Sequence, residues 1–291
     1  MPVVSALVSG VIFGGVYALI ALGLTLQYGA ARILNLAYGD VLVGGGLIAY
    51  VLFSRYGVSP LVVVALLGPL AFAAHLLIYR YVFVPLRWRA ATWKDVEGSN
   101  ILLAFGLSFV VGGMLLAQFG GQFYSYSYLL KPLSIAGTVV SANRVLAFSF
   151  ALVAGVLLHL VLTCTRLGMA IRAVAVDPDG APLVGLNVPH VAALAFAAGG
   201  AICVASGAIV SMLQPISVPM GVVFTLKALV VVIMGGAGNT LGAVAAGFLV
   251  GAVESVVAQW VSPGLTLVAT YGLFVMVLLT LRTGLFGRAL R

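Results

Sequence analysis

Charge is what this sequence has least of. Only 7% of its 291 residues are Asp, Glu, Lys or Arg, against about 25% in an average soluble domain. So few charges cannot cover the surface of a water-soluble fold, which excludes that class. Cysteine is almost missing too. Cys164 and Cys203 stand far apart with no CxxC spacing, so neither a disulfide framework nor a thiolate metal site is indicated. The three histidines, His75, His159 and His190, are isolated and lack metal-ligand spacing. No Gly-Lys-Ser/Thr run forms a phosphate loop, and neither GxSxG nor HExxH occurs. The chain is therefore not read as an enzyme, and no cofactor or metal is expected on it. If it moves a solute, the energy comes from another chain or from an ion gradient. No basic stretch precedes the first apolar run, so no cleavable leader is read.

What is present is apolar sequence. Hydrophobic residues make up 63% of the chain, and 36 glycines are spread through it. Mean hydropathy is +1.25. Strict two-residue alternation is absent, which favours helices over a membrane barrel. A spanning helix needs about 20 apolar residues. Nine candidate spans meet or approach that length: Val3–Leu26, Ile33–Phe53, Pro60–Phe83, Ile101–Phe119, Val145–Thr163, Val191–Leu213, Val222–Met234, Leu241–Trp260 and Leu265–Leu281. The second and seventh are interrupted by glycine and polar residues and read as broken or re-entrant. The fold class expected is an all-α polytopic bundle of about 8–10 membrane segments, one transmembrane domain over residues 1–291.

The net charge of +8 is a matter of topology. Lys and Arg collect on cytoplasmic loops, and no basic stripe interleaved with exposed aromatics points to nucleic acid. Arg32, Arg80, Arg87, Arg89, Lys94, Arg166, Arg172, Arg282, Arg288 and Arg291 fall on one side of the nine-span order; Arg55, Lys131 and Arg144 fall on the other. The ten-residue side reads as cytoplasmic, with the N-terminus outside and the C-terminus inside. The longest outside connection, Gly120 to Asn143, carries Tyr124, Tyr126 and Tyr128. These tyrosines read as an interfacial aromatic belt, with a docking surface for an outside partner as the alternative.

Three polar stretches stand out from the apolar background. Thr165–Pro189 holds two arginines and two aspartates between long apolar runs. Leu167, Ile171 and Val174 recur on one helical face, with Arg166 and Arg172 off it. Asp177-Pro178 reads as a second helix start and Gly185 as its cap. Two short helices at the membrane surface are expected, with an inert amphipathic connector as the alternative. The second stretch runs from Lys227 to Glu254. Gly235, Gly236, Gly238 and Asn239 break any regular helix there, and Gly238/Gly242 and Gly247/Gly251 have GxxxG spacing for close helix contact. The third is Asn35-Leu36-Ala37-Tyr38-Gly39-Asp40. An unpaired charge at the bilayer centre costs at least ~2.5 kcal/mol. Asp40 and Glu254 are therefore expected to be shielded from lipid, capping helix N-termini or pairing with Lys227 or Arg32. Structural and substrate-path roles both remain open for Asn35, Tyr38, Gly39, Asp40, Lys227, Gly235, Gly236, Gly238, Asn239 and Glu254.

In combination these stretches resemble the permease subunits of branched-chain amino acid ABC importers. The matching positions are Leu167-Gly168, Arg172-Ala173, Asp177, Ala181 and Gly185, the glycine block Gly235 to Glu254, Asn35-Leu36-Ala37 with Gly39-Asp40, Pro85-Leu86-Arg87, and Thr283-Gly284-Leu285-Phe286-Gly287. They run in order through essentially the whole chain, and its length resembles the H-type permease. Tyr38 stands where that family often has histidine, a departure that bears on selectivity. Asn239-Thr240 and Met169 also depart from the usual pattern. The resemblance implies a pathway formed with a second, paralogous permease subunit in a bacterial-type cytoplasmic membrane. It implies two cytoplasmic ATPase subunits that use ATP, and an external substrate-binding protein. It further implies that 165–189 is the ATPase-coupling segment, through Arg166, Leu167, Gly168, Ile171, Arg172, Ala173, Asp177, Ala181, Leu183 and Gly185. Urea and amide permeases share the family, and a stand-alone secondary transporter or channel is the competing class.

Overall fold

The computed structural model describes residues 2–89, 93–135, 138–281 and 284–286. Arg282, Thr283, Gly287, Arg288 and Arg291, used above for orientation or resemblance, lie outside the described residues. The chain is a helical bundle: α1 (Pro2–Ala31), α2 (Tyr38–Tyr56), α3 (Pro60–Ile78), α4 (Val84–Arg89), α5 (Trp93–Phe119), α6 (Ala142–Cys164), α7 (Arg166–Val176), α8 (Val188–Val210), α9 (Met220–Gly235), α10 (Thr240–Trp260) and α11 (Thr266–Thr280). A five-residue π-helical segment, Tyr79–Phe83, joins α3 to α4 without a break. The two short strands Pro132–Ile135 and Thr138–Ser141 pair antiparallel in the connection before α6. Among the described residues seven helices are long and apolar enough to cross a membrane. Backbone groups satisfied within each helix are what the bilayer demands.

The two spans read as broken, α2 and α9, are not among those seven. α9 has 16 residues. α2 begins only at Tyr38, after a non-helical passage from Arg32 to Ala37. Both start in mid-bundle. The Tyr38 hydroxyl donates to the carbonyl of Ile20, well inside α1, at 2.7 Å, and the Gly39 amide donates to Thr225 Oγ1 at 2.8 Å. From this shared point α2 runs toward the N-terminal end of α1, and α9 runs toward Gly29 near its C-terminal end. The two helices thus meet N-terminus to N-terminus.

α1 and α8 form the centre. In its most apolar window α8 is 78% buried, whereas α11 is 11% buried. The centre is tight because its residues are small. On α8, Gly199 meets the Gly23 carbonyl, Gly200 meets His75, and Gly207 meets Leu42, leaving no room for a Cβ. The GxxxG spacing serves contacts within this chain: Gly247 abuts Ala18 and Gly251 abuts Gly14, locking α10 onto α1. Exposed apolar side chains line α3, α5, α6 and α11, the outer layer of the bundle.

The tyrosine strap differs from the aromatic belt expected of it. Tyr124, Tyr126 and Tyr128 turn inward on alternate residues. Tyr124 pairs through its backbone with Ile216 in the α8–α9 connection, its ring centroid 5.0 Å from that of Tyr50 on α2. The Tyr126 ring lies 4.8 Å from Phe53, and its hydroxyl is 2.9 Å from Ser211 Oγ. Burial pushes the Tyr126 phenol up to about 12, so it stays neutral. The strap holds the far end of α2 and the α8–α9 connection together.

Candidate functional site

Two polar clusters lie inside the bundle, and a third structure hangs at one end. The first cluster surrounds the meeting point of α2 and α9. Asn35 donates to Gln27 Oε1 at 3.1 Å, and Gln27 donates onward to the Phe196 carbonyl at 3.2 Å. Asn35 Oδ1 accepts from the Ala37 amide at 3.1 Å. Asp40 lies in the first turn of α2, is 5% exposed, and accepts from Ser108. A Cβ on Gly221, in the first turn of α9, would strike the Asp40 carboxylate, and one on Gly39 would strike the Gly221 carbonyl and Thr225. Asp40 therefore sits between two helix N-termini, where a negative charge offsets both macrodipoles. Tyr38 is fully buried with its hydroxyl bonded inside the chain, so this departure from the family pattern packs inside the bundle.

The second cluster joins α1, α9, α10 and α11. Lys227 Nζ lies 2.8 Å from Glu254 Oε1. Glu254 also accepts from the Tyr17 hydroxyl at 2.6 Å and from Thr270 Oγ1 at 2.6 Å. Lys227 donates to the Tyr17 oxygen at 3.0 Å and stands 4.7 Å from its ring centroid. Glu254 is 7% exposed. The expectation that both acids are shielded from lipid holds, and Lys227 is the partner of Glu254. A cavity of about 470 Å³ adjoins this cluster. Its wall includes Ser9, Phe13, Tyr17, Gln214, Lys227, Glu254, Gln259 and Thr266, and it extends toward the α10–α11 corner. The apolar spacing of the sequence did not single out Tyr17, Thr270, Ser108 or Gln214. A hydroxyl or amide within an apolar run was the only available signal.

Gly235, Gly236, Gly238 and Asn239 belong to neither cluster. They form the α9–α10 turn, with φ of +99° at Gly236 and +84° at Gly238. Asn239 Oδ1 accepts from the Gly242 amide at 3.1 Å as the cap of α10. Its amide donates to the Phe286 carbonyl at 3.0 Å, and the Leu285 amide reaches the Met234 carbonyl at 2.7 Å. The turn thus clasps the chain following α11.

At the same end lies the segment from Thr165 to Asn187. Thr165 Oγ1 caps α7 by accepting from the Gly168 amide at 3.0 Å. The buried face of α7 is Gly168, Ile171 and Val174; Leu167, expected on that face, is exposed. Gly168 replaces Leu167 there because α7 presses directly on the α6 backbone, where a Cβ would collide with Val161 and Leu162. Ile171, Val174 and Ala181 pack with Leu26, Ala30, Val188 and Val191, tying the segment to α1 and α8. Arg166 and Ala173 face outward, and exposed Arg172 donates to the Thr163 carbonyl at 3.4 Å. The expected second helix is a single 3-10 turn, Ala181–Val184. Asp177 ends α7, and its carboxylate accepts from the amides of Asp179 and Gly180 at 3.1 and 2.9 Å. Gly185 caps the turn at φ +80°. Leu183 is 89% exposed at the tip, beside exposed Val184.

Comparison with known proteins follows the whole of this architecture. The family model described as "Branched-chain amino acid transport system / permease component" matches residues 6–281. The high-affinity branched-chain amino acid transport system permease protein BraD of Pseudomonas aeruginosa is 29% identical, over 97% of this chain and 95% of its own. The corresponding permease protein LivH of Escherichia coli K12 is 27% identical over 96% and 94%. A probable LivH of Methanocaldococcus jannaschii is 25% identical over 87% and 80%. No solved structure matches. Since the match runs from α1 into the residue that follows α11, taking in both polar clusters and the α7 segment, the chain belongs to the family of branched-chain amino acid transport system permease components.

Proposed function

We propose that this multi-pass membrane protein is one permease subunit of an ATP-driven importer, contributing to the pathway for branched-chain amino acids. The observation that carries the reading is the family match across residues 6–281. In this reading a second permease subunit completes the pathway, two cytoplasmic ATPase subunits hydrolyse ATP, and an external binding protein delivers substrate. The end bearing Arg32, Arg166 and Arg172 faces the cytoplasm, in keeping with the excess of basic residues there. The N-terminus is then outside and the C-terminus inside.

The coupling step is assigned to the segment from Thr165 to Asn187. Leu183 and Val184 offer an exposed apolar tip to an ATPase groove, and exposed Arg166 and Arg172 lie on α7 of the same segment. Closure of the ATPase dimer would push on α7. That push would reach α1 and α8 through Ile171, Val174 and Ala181, because a packed interface moves as a body. Since α1 and α8 are the central helices, both polar clusters would shift with them, giving alternating access.

The test is co-purification and uptake. Leu183→Asp should abolish recovery of the ATPase subunits and reduce leucine uptake at least tenfold, with the permease still in the membrane at normal level. Full ATPase recovery and full uptake would reject the coupling assignment. Uptake that persists without ATP would favour the stand-alone carrier, and competition by urea or amides in place of leucine would change the substrate class.

A further inference from the structure

We propose that Lys227 and Glu254 form a subsite for the zwitterionic head of the transported amino acid, with the ion pair opening to exchange partners with it. The inference rests on the importer reading above and deepens it.

Two observations carry it. The pair lies on the wall of the 470 Å³ cavity, within the roughly 300–1,000 Å³ usual for small-molecule sites. A purely structural pair in an apolar bundle gains nothing from a neighbouring cavity. The cavity beside the pair is also graded. Gln214 and Gln259 carry side-chain amides with no intramolecular partner among the described residues, and Phe13 supplies an apolar wall.

The chemistry of exchange follows from charge conservation. A free amino acid presents an ammonium and a carboxylate two bonds apart across one carbon. The carboxylate takes Lys227 and the ammonium takes Glu254, so two opposite charges enter as two separate. No unpaired charge is left in the bundle, which is the costly case. A substrate with only one of the two charges would leave Lys227 or Glu254 stranded. Tyr17 and Thr270 would hold Glu254 in place throughout, since both donate to it.

The test uses the complete importer in proteoliposomes, with Cys164→Ser removing the exposed native thiol and Gln259→Cys placing one at the cavity. Modification of that cysteine by a charged, membrane-impermeant thiol reagent should slow at least threefold with millimolar leucine. Leucine amide and 4-methylpentanoate, each lacking one charge, should not slow it. Equal protection by all three, or by none, would overturn the subsite. A second arm is the neutral double variant Lys227→Met/Glu254→Gln, which avoids a stranded charge. It should co-purify with the ATPase subunits but lower the maximal rate of leucine uptake at least tenfold. Assembly with unchanged uptake would make the pair structural only. Wild-type uptake is measured in parallel: its absence would reject the importer reading itself, whereas normal wild-type uptake with failure of the other arms rejects only the subsite.

Discussion

The two polar clusters inside this bundle are built on opposite plans. Around Asp40 the polar groups find partners within the bundle: Asn35 bonds Gln27, Ser108 donates to Asp40, Thr225 accepts from the Gly39 amide, and glycines let the backbones touch. Around Lys227 and Glu254 the groups are equally well bonded on one side, yet the other side is a cavity. Buried polarity in a membrane protein is a default sign of function. The comparison separates that default into two cases. Asp40 sits where α2 and α9 meet end to end, and the Lys227–Glu254 pair borders a cavity.

Substitutions can break this contrast. The largest expected effect is Glu254→Ala, which strands the Lys227 ammonium. Loss of one partner of a buried pair costs about 3–5 kcal/mol, so the variant should lose most of its folded fraction in detergent size exclusion. Full recovery of folded protein would mean that the pair is wetter than its burial indicates. Next comes Gly39→Ala, whose methyl group meets the Gly221 carbonyl and Thr225. Overpacking of about 1–3 kcal/mol should lower the apparent Tm by roughly 5–10 °C, and an unchanged Tm would disprove the end-to-end contact.

Other substitutions sharpen it. Asp40→Asn keeps the shape but removes the charge between two helix N-termini, at about 0.3–1 kcal/mol for each. Stability should fall slightly, and uptake per folded molecule should stay within about twofold on this modest energy. A larger loss of uptake than in the Lys227→Met/Glu254→Gln double variant would reverse the assignment of the two clusters. Tyr17→Phe removes one donor from Glu254. A hydrogen bond to a charged group contributes about 1.5–3 kcal/mol, and a thermal melt in detergent reads the loss. The smallest stability effect is expected for Arg172→Gln, because Arg172 is exposed and its bond to Thr163 is long. Its effect should appear in ATPase co-purification instead.

Much of this was legible in the sequence because the bilayer is a strict solvent. Nine apolar stretches had to become helices, and the two interrupted ones, around Asn35–Asp40 and Gly235–Asn239, are those beside α2 and α9. The Gly185 cap was readable from local chemistry, since a left-handed residue favours glycine. Leu167 shows where local reading failed. Helical periodicity put it on the buried face with Ile171 and Val174, but α7 lies against the α6 backbone, so the small Gly168 takes that contact. The tyrosine strap failed for a similar reason. Aromatic content indicated an interface, whereas Tyr124 and Tyr126 are held by Tyr50, Phe53 and Ile216 from distant parts of the chain.

The sequence by itself determined the membrane class, the number of apolar segments and the family. Each follows from composition or from order along the chain, which packing does not change. Only the tertiary structure decided which groups surround each intramembrane acid, and that the Lys227–Glu254 pair borders a cavity. Lys227 and Glu254 are 27 positions apart and Tyr17 is 210 from Lys227. Asp40 and Ser108 are separated by 68. The cost of a bare charge in lipid required that each acid find partners, but the partners come from other helices. Their identity depends on where the small residues of α1, α8 and α10 allow backbones to meet.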